Sequence, residues 1–151
     1  MTKLRWPMIV AAVFLLLFLS NPTIQAKSAS STSRYDQGWQ AYDAGHYAEA
    51  FEIWQVLAEQ GHELAQVNLG AMYDAGQGTA ENPTKAFELF LAAAQKGNPY
   101  AQYNVANMYA QGRGIRCDRG KAKSWYLKAA EQDLAIAQYG LGMLNASDVA
   151  E

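Results

Sequence analysis

The sequence predicts an all-α solenoid of antiparallel helix pairs, with about seven helices in the mature chain. Three observations carry this reading. One phrase is written three times at a fixed shift of 36 residues: Ala65-Gln66-Val67-Asn68-Leu69, Ala101-Gln102-Tyr103-Asn104-Val105 and Ala137-Gln138-Tyr139-Gly140-Leu141. The same register links Met72-Tyr73 to Met108-Tyr109, Gly76-Gln77-Gly78 to Gly112-Arg113-Gly114, and Lys85-Ala86 to Lys121-Ala122. Within a unit, apolar residues recur at three- and four-residue spacing in two stretches separated by glycine and Asn-Pro signals. A period between about 20 and 50 residues marks a stacked repeat protein, whose units cannot bury their apolar faces alone.

The chain opens with Lys3 and Arg5, then runs almost wholly apolar from Trp6 to Leu19 until Ser20-Asn21-Pro22 breaks the pattern. That stretch is about 14 residues, short of the roughly 20 that a membrane-crossing helix needs, so residues 1–26 are expected to be a signal peptide cut after Ala26. An uncleaved anchor is the alternative, because Ile24 is an imperfect residue three places before the cut. Removing 26 of 151 residues leaves 125, enough for one domain. Residues 27–33, Lys-Ser-Ala-Ser-Ser-Thr-Ser, present no apolar face and are expected to form a flexible lead.

The elements then follow in order. Residues 34–64 form a first hairpin with a shorter loop: Tyr42-Asp43-Ala44-Gly45 matches Tyr73-Asp74-Ala75-Gly76, and Glu49 to Trp54 matches Lys85 to Phe90. Residues 65–100 and 101–136 are full units. In the first, Ala65, Leu69, Met72 and Tyr73 gather on one stripe, and Ala86, Leu89, Phe90 and Ala93 on the next helix do the same. Gly70 permits close approach of the neighbouring helix. Asn82-Pro83 and Asn98-Pro99 place an N-cap acceptor before a proline suited to the first helical position, and Asp118 falls in the register of Asn82. His62 is expected to cap the turn after Gly61. Gly76, Gly78, Gly112 and Gly114 fall where the first helix must end, and Gly97 closes a second helix. Residues 137–151 are read as a terminal capping helix and tail, with Asn145-Ala146-Ser147 as a fraying end rather than a glycosylation acceptor.

Charge narrows the classes of partner. Without Lys3 and Arg5, 10 basic residues face 14 acidic ones, a balance of −4 that argues against nucleic acid. Tyr35 to Thr84 holds eight acidic residues and no Lys or Arg, whereas Arg113 to Lys128 holds six basic residues opposed only by Asp118. Such an arrangement makes two solvated faces or a bipolar surface that steers a partner, with Arg113, Arg116 and Arg119 as the steering charges, or one that drives weak head-to-tail self-association. Cys117 is the single cysteine, which excludes an internal disulfide; it is an exposed loop residue or an intermolecular thiol.

No catalytic constellation is assembled. Gly76-Gln77-Gly78 and Gly112-Arg113-Gly114 follow no strand and lack the third glycine of a dinucleotide loop, and no Gly-Lys-Ser/Thr occurs. His46 and His62 have no partners at metal-ligand spacing. No nucleophile elbow or acylating Ser-x-x-Lys stands in the mature chain. Neither a catalytic residue, a metal site nor a cofactor is therefore assigned.

The phrases Ala-Gln-Tyr-Asn-Val/Leu, Met-Tyr, Gly-x-Gly and Lys-Ala-x-x-Trp-Tyr, seen whole from Ala101 to Tyr126, resemble the Sel1-like repeat, a relative of the tetratricopeptide repeat. The stretch Gly45-His46-Tyr47-Ala48-Glu49-Ala50 is closer to a tetratricopeptide unit. The resemblance covers nearly all of residues 34–145 and implies a right-handed superhelix whose first helices line a concave, protein-binding surface. Exported members described as β-lactamase-like carry paired cysteines in each repeat, which this chain lacks. With Ala65, Leu69 and Tyr73 turned to the core, the other side of that helix carries Val67, Ala71 and Asp74, flanked by Asn68. A shift of 36 gives Tyr103, Asn104 and Asn107, then Tyr139 and Met143, with Tyr100 on the same side; a shift of 31 gives Asp36, Gln37, Gln40 and Asp43. Tyrosines would anchor an extended peptide and asparagines would bond its backbone. The alternative is that Tyr103 and Tyr139 pack between neighbouring repeats.

The reading is of an exported, periplasmic adaptor or regulator that binds a protein or peptide without inserting in a membrane after signal cleavage. A cell-wall or β-lactam hydrolase and a structural oligomer are its rivals.

Overall fold

In the computed structural model, which describes residues 22–149, seven helices follow one another: α1 (Pro22–Asp43), α2 (Tyr47–Glu59), α3 (Glu63–Ala75), α4 (Pro83–Gln95), α5 (Pro99–Gln111), α6 (Arg119–Ala130) and α7 (Ala135–Val149). No strand occurs among the described residues. The apolar run Trp6 to Leu19 lies outside them, and the expected cut after Ala26 falls within α1. No described helix is long and apolar enough to cross a membrane.

Helix starts follow the capping chemistry of the sequence. The side-chain oxygens of Asn82, Asn98 and Asp118 accept from the backbone N–H of Lys85, Ala101 and Lys121 at 3.1, 2.9 and 2.9 Å. His62 does the same through Nδ1, taking the Ala65 N–H at 3.3 Å. Each cap satisfies a donor that the helix itself leaves unpaired, and removing one costs about 1 kcal/mol. Gly76 and Gly112 end α3 and α5 at φ 65° and 67°, left-handed angles that glycine adopts without a Cβ penalty.

Two boundaries differ from the sequence reading. Residues 27–33, expected as a flexible lead, are helical and continuous with the rest of α1. The segment has no apolar face, but no glycine or proline between Thr23 and Gln37 interrupts a helix growing back from Arg34, and propagation is far easier than nucleation. At the other end α7 begins at Ala135, two residues before the expected start, because the turn closes earlier, at Asp133 with φ 61°.

The core runs along the stack as three apolar clusters. Trp54, Leu57, Leu69 and Met72 centre the first, Phe87, Phe90, Val105 and Met108 the second, and Ala106, Tyr126, Ala137 and Leu144 the third. Tyr73 and Tyr109 each border two clusters, so adjoining repeats share side chains rather than merely touching. The second glycine of each Gly-x-Gly explains why the loops are built alike. A Cβ on Gly78 would stand 2.4 Å from the Tyr47 carbonyl oxygen, and one on Gly114 2.2 Å from that of Pro83. Each loop therefore rests its backbone on the start of the preceding second helix.

Polar pins repeat at the same period. Lys96 Nζ donates to the Gly61 carbonyl at 2.9 Å and to Gln66 Oε1 at 3.1 Å; Gln132 Nε2 makes the equivalent bonds to Gly97 and Gln102, both at 2.9 Å. Buried Gln66 and Gln102 also donate to the carbonyls of Ala58 and Ala94. Their amides join each first helix to the end of the second helix before it and to the turn that closes the next one, which is why this buried position is polar.

Candidate functional site

Every first helix carries one stripe that faces away from the core. Its edge is the second residue of the helix: Leu64, Tyr100 and Ile136 stand one period apart and are 47%, 60% and 48% exposed. Three large apolar side chains left in water at one register form a row across α3, α5 and α7. In α1 the row ends on polar ground, where Asp36, Gln40 and Asp43 are all exposed. The first hairpin adds an aromatic cluster in which Trp39 lies edge-on to Trp54 at 5.2 Å and to Tyr42 at 5.6 Å, while remaining 40% exposed.

Beside the row, the residues expected to bind a partner divide into two groups. Tyr139 and Met143 are open, at 68% and 55% exposure. Tyr103 and Asn107 are half-buried and turned against α6: the Tyr103 ring lies 5.9 Å from that of Tyr126, and Asn107 Oδ1 accepts the Tyr126 hydroxyl. Asn104 is half-buried, and Asn68 Nδ2 donates to the Tyr35 hydroxyl at 3.1 Å. Asn68, Tyr103 and Asn107 thus have internal partners, whereas Tyr100, Tyr139 and Met143 keep most of their surface free.

The basic segment is similarly divided. Arg113, expected to steer a partner, holds two acidic side chains of the preceding repeat instead: Nε meets Asp74 Oδ1 at 2.7 Å, and Nη2 meets Glu81 Oε1 at 2.8 Å and the Asp74 carbonyl at 2.7 Å. The hydrogen bond and charge of Asp74, with Glu81 assisting, hold this guanidinium above its ordinary pKa. Its charge is matched locally because Arg113 replaces Gln77 of the previous loop, which accepts only the Tyr42 hydroxyl. Arg119 donates to the Leu144 carbonyl at 2.9 Å, tying α6 to α7. Arg116 is exposed beside Cys117, whose thiol donates to the Ala110 carbonyl at 3.4 Å.

Leu64 and Ile136 are the residues that sequence reasoning missed. The signal was present: shifting Tyr100 by one period in either direction lands on them. No cluster of three or more metal-ligating side chains occurs among the described residues.

Comparison with known proteins meets this geometry. The model of the Sel1 repeat matches residues 64–98, 99–134 and 135–149, more than half of the chain. Among solved structures, a protective antigen present in uropathogenic Escherichia coli strains and displaying an SLR fold is 30% identical with a TM-score of 0.74. A Sel1 repeat protein from Oxalobacter formigenes is 34% identical with a TM-score of 0.69. The matches cover 82% and 74% of this chain but 27% and 46% of those proteins, so it spans only part of their length. No curated protein matches it. The matched segments meet at the starts of α5 and α7, one 36-residue period apart, and the chain belongs to the Sel1 repeat family.

Proposed function

We propose that this chain is an exported helical-repeat module that holds a segment of a partner protein against its first helices, acting as an adaptor or regulator. Sel1 repeat proteins are generally protein-interaction repeats and typically non-catalytic scaffolds. The observation that carries the reading here is the row Leu64, Tyr100 and Ile136, exposed at one register on three consecutive first helices. A peptide laid across the row would meet one large apolar anchor from each repeat. Exposed tyrosine is suited to such contact because it offers a large, stiff surface with a polar tip. Export rests on the basic and apolar run at residues 3–19, followed by Ala26.

The test pairs Tyr100→Ser with Ile136→Ser. Both side chains are about half or more exposed, so the double variant should melt within a degree or two of the parent while retaining less than about a tenth of its affinity for the partner. Undiminished affinity in a folded double variant would remove the row from the function.

A further inference from the structure

Between α2, α3 and α4 lies a cavity of about 290 Å³, independent of that row. Its apolar walls are Ala58 of α2, Leu69 and Tyr73 of α3, and Leu89 of α4. Gln55 and two exposed carboxylates, Glu59 and Glu88, also line it, and Glu59 Oε1 accepts from Gln55 Nε2 at 3.3 Å. Lys85 completes the lining, with Nζ 5.2 Å from the centre of the Tyr73 ring. One period on, the same ground is furnished differently. Ala94 and Val105 stand in the register of Ala58 and Leu69, and Lys121 again lies over a tyrosine, 5.3 Å from the Tyr109 ring. Trp125 replaces Leu89, and each packs against the core of the preceding repeat, Leu89 on the first cluster and Trp125 on the second. Lys128 replaces Ala92 and sets its Nζ 4.2 Å over the Trp125 ring. Gln95 and Ser124 replace Glu59 and Glu88. Where the chain supplies a large ring and a cation, these two positions are neutral; where they are carboxylates, the ring and the cation are missing.

We propose that this cavity binds a small aromatic cation, an aryl ring carrying an ammonium arm, in place of the ring and cation that α6 provides for itself. The ring enters against Leu69, Tyr73 and Leu89, and the ammonium lies beside Glu59 and Glu88. Lys85 stays over Tyr73 meanwhile, as Lys121 stays over Tyr109 with Trp125 and Lys128 on the same helix. The wider surface favours a cation, since Tyr35 to Thr84 holds eight acidic residues and no Lys or Arg. The volume is near the lower limit of small-ligand pockets. A small ligand is favoured over a partner chain because none of the large exposed apolar side chains among the described residues lines the cavity. A chain laid there would cover charge rather than apolar surface.

The probes are tryptamine, indoleacetate and butylamine, titrated into the full chain while the NMR signals of the Leu69 and Leu89 methyl groups are followed. Tryptamine should give saturable shifts at both residues. Indoleacetate, with the same ring and the opposite charge, should bind at least about tenfold more weakly, and butylamine, with no ring, should leave the signals in place. Leu89→Trp supplies the ring that Trp125 supplies one repeat later, so tryptamine binding should fall at least about tenfold in a chain that still folds. Glu59→Gln with Glu88→Gln, both at exposed positions, should erase the preference for tryptamine over indoleacetate. Absence of saturable shifts, equal affinity for tryptamine and either other probe, or a preference that survives the double glutamine variant overturns the proposal. So does tryptamine binding that is undiminished in a folded Leu89→Trp chain. Tighter binding of acetyl-Trp-Lys-amide than of tryptamine also overturns it, since the occupant would then be a segment of a partner protein.

Discussion

The hydroxyl of Tyr126 accounts for two changes between repeats that look unrelated in the sequence. Along the 36-residue register Phe90 becomes Tyr126 and Ala71 becomes Asn107, and Asn107 accepts the new hydroxyl. The asparagine therefore answers a packing need inside the repeat, although as a sequence position that varies on an outer stripe it reads as a contact for a partner. Periodicity exposes the variation but not its reason, because the pair lies on different helices. Asn107→Ala should destabilise the fold by about 1–3 kcal/mol by leaving that hydroxyl unpaired, whereas Asn107→Ala with Tyr126→Phe recreates the Ala71 and Phe90 pair and should recover much of the loss. Thermal melts of the two variants read this directly. Burial, with Tyr103 adding to it, pushes the Tyr126 phenol above its ordinary pKa of 10. A raised folded-state value means that this group's contribution is complete below the unfolded pKa and is lost as pH climbs through the folded one. Tyr126→Phe should therefore flatten part of the alkaline fall in stability.

Helices were the most legible level, because each boundary is marked by side-chain chemistry that needs no tertiary context. Asn82, Asn98 and Asp118 cap the helices they precede, and Gly76 and Gly112 end the ones before them. The stretch over 27–33 was not legible, since a helix without an apolar face carries no periodic signal even when no residue opposes it. The loops show a different limit: Gly-x-Gly announces a turn, but only the structure shows that its second glycine rests on the previous repeat. Gly114→Ala places a Cβ 2.2 Å from the Pro83 carbonyl oxygen at a left-handed φ of 69°, and should cost about 2 kcal/mol or more. Gly142→Ala, with open space around it, should instead stabilise by up to about 1 kcal/mol through helix propensity. Opposite shifts in melting temperature would distinguish a glycine required by stacking from one that is merely tolerated.

Across the whole molecule the repeats form one connected stack, joined by shared aromatic residues and by the recurring Lys96 and Gln132 pins. The separation of acidic and basic segments survives in the fold in weakened form: Arg113 reaches back to Asp74 and Glu81, neutralising charge where the two regions meet. That contact spans 39 and 32 residues and occurs once, so no period announced it. The fold was legible because every repeat restates it, while the proposed interaction face was legible only in part because inward and outward variation look alike in a sequence. What distinguishes them is exposure, which leaves Leu64, Tyr100, Ile136, Tyr139 and Met143 open while Tyr103 and Asn107 are half-buried. Site-specific photocrosslinking tests this selection, with a photoreactive side chain placed at Tyr100 in one sample and at exposed Glu88 on α4 in another, each exposed to the same extract of the source cells. The account predicts a discrete protein adduct from Tyr100 that is absent from Glu88 and is lost when Ile136→Ser is introduced; adducts from Glu88 alone, or equally from both positions, would contradict it.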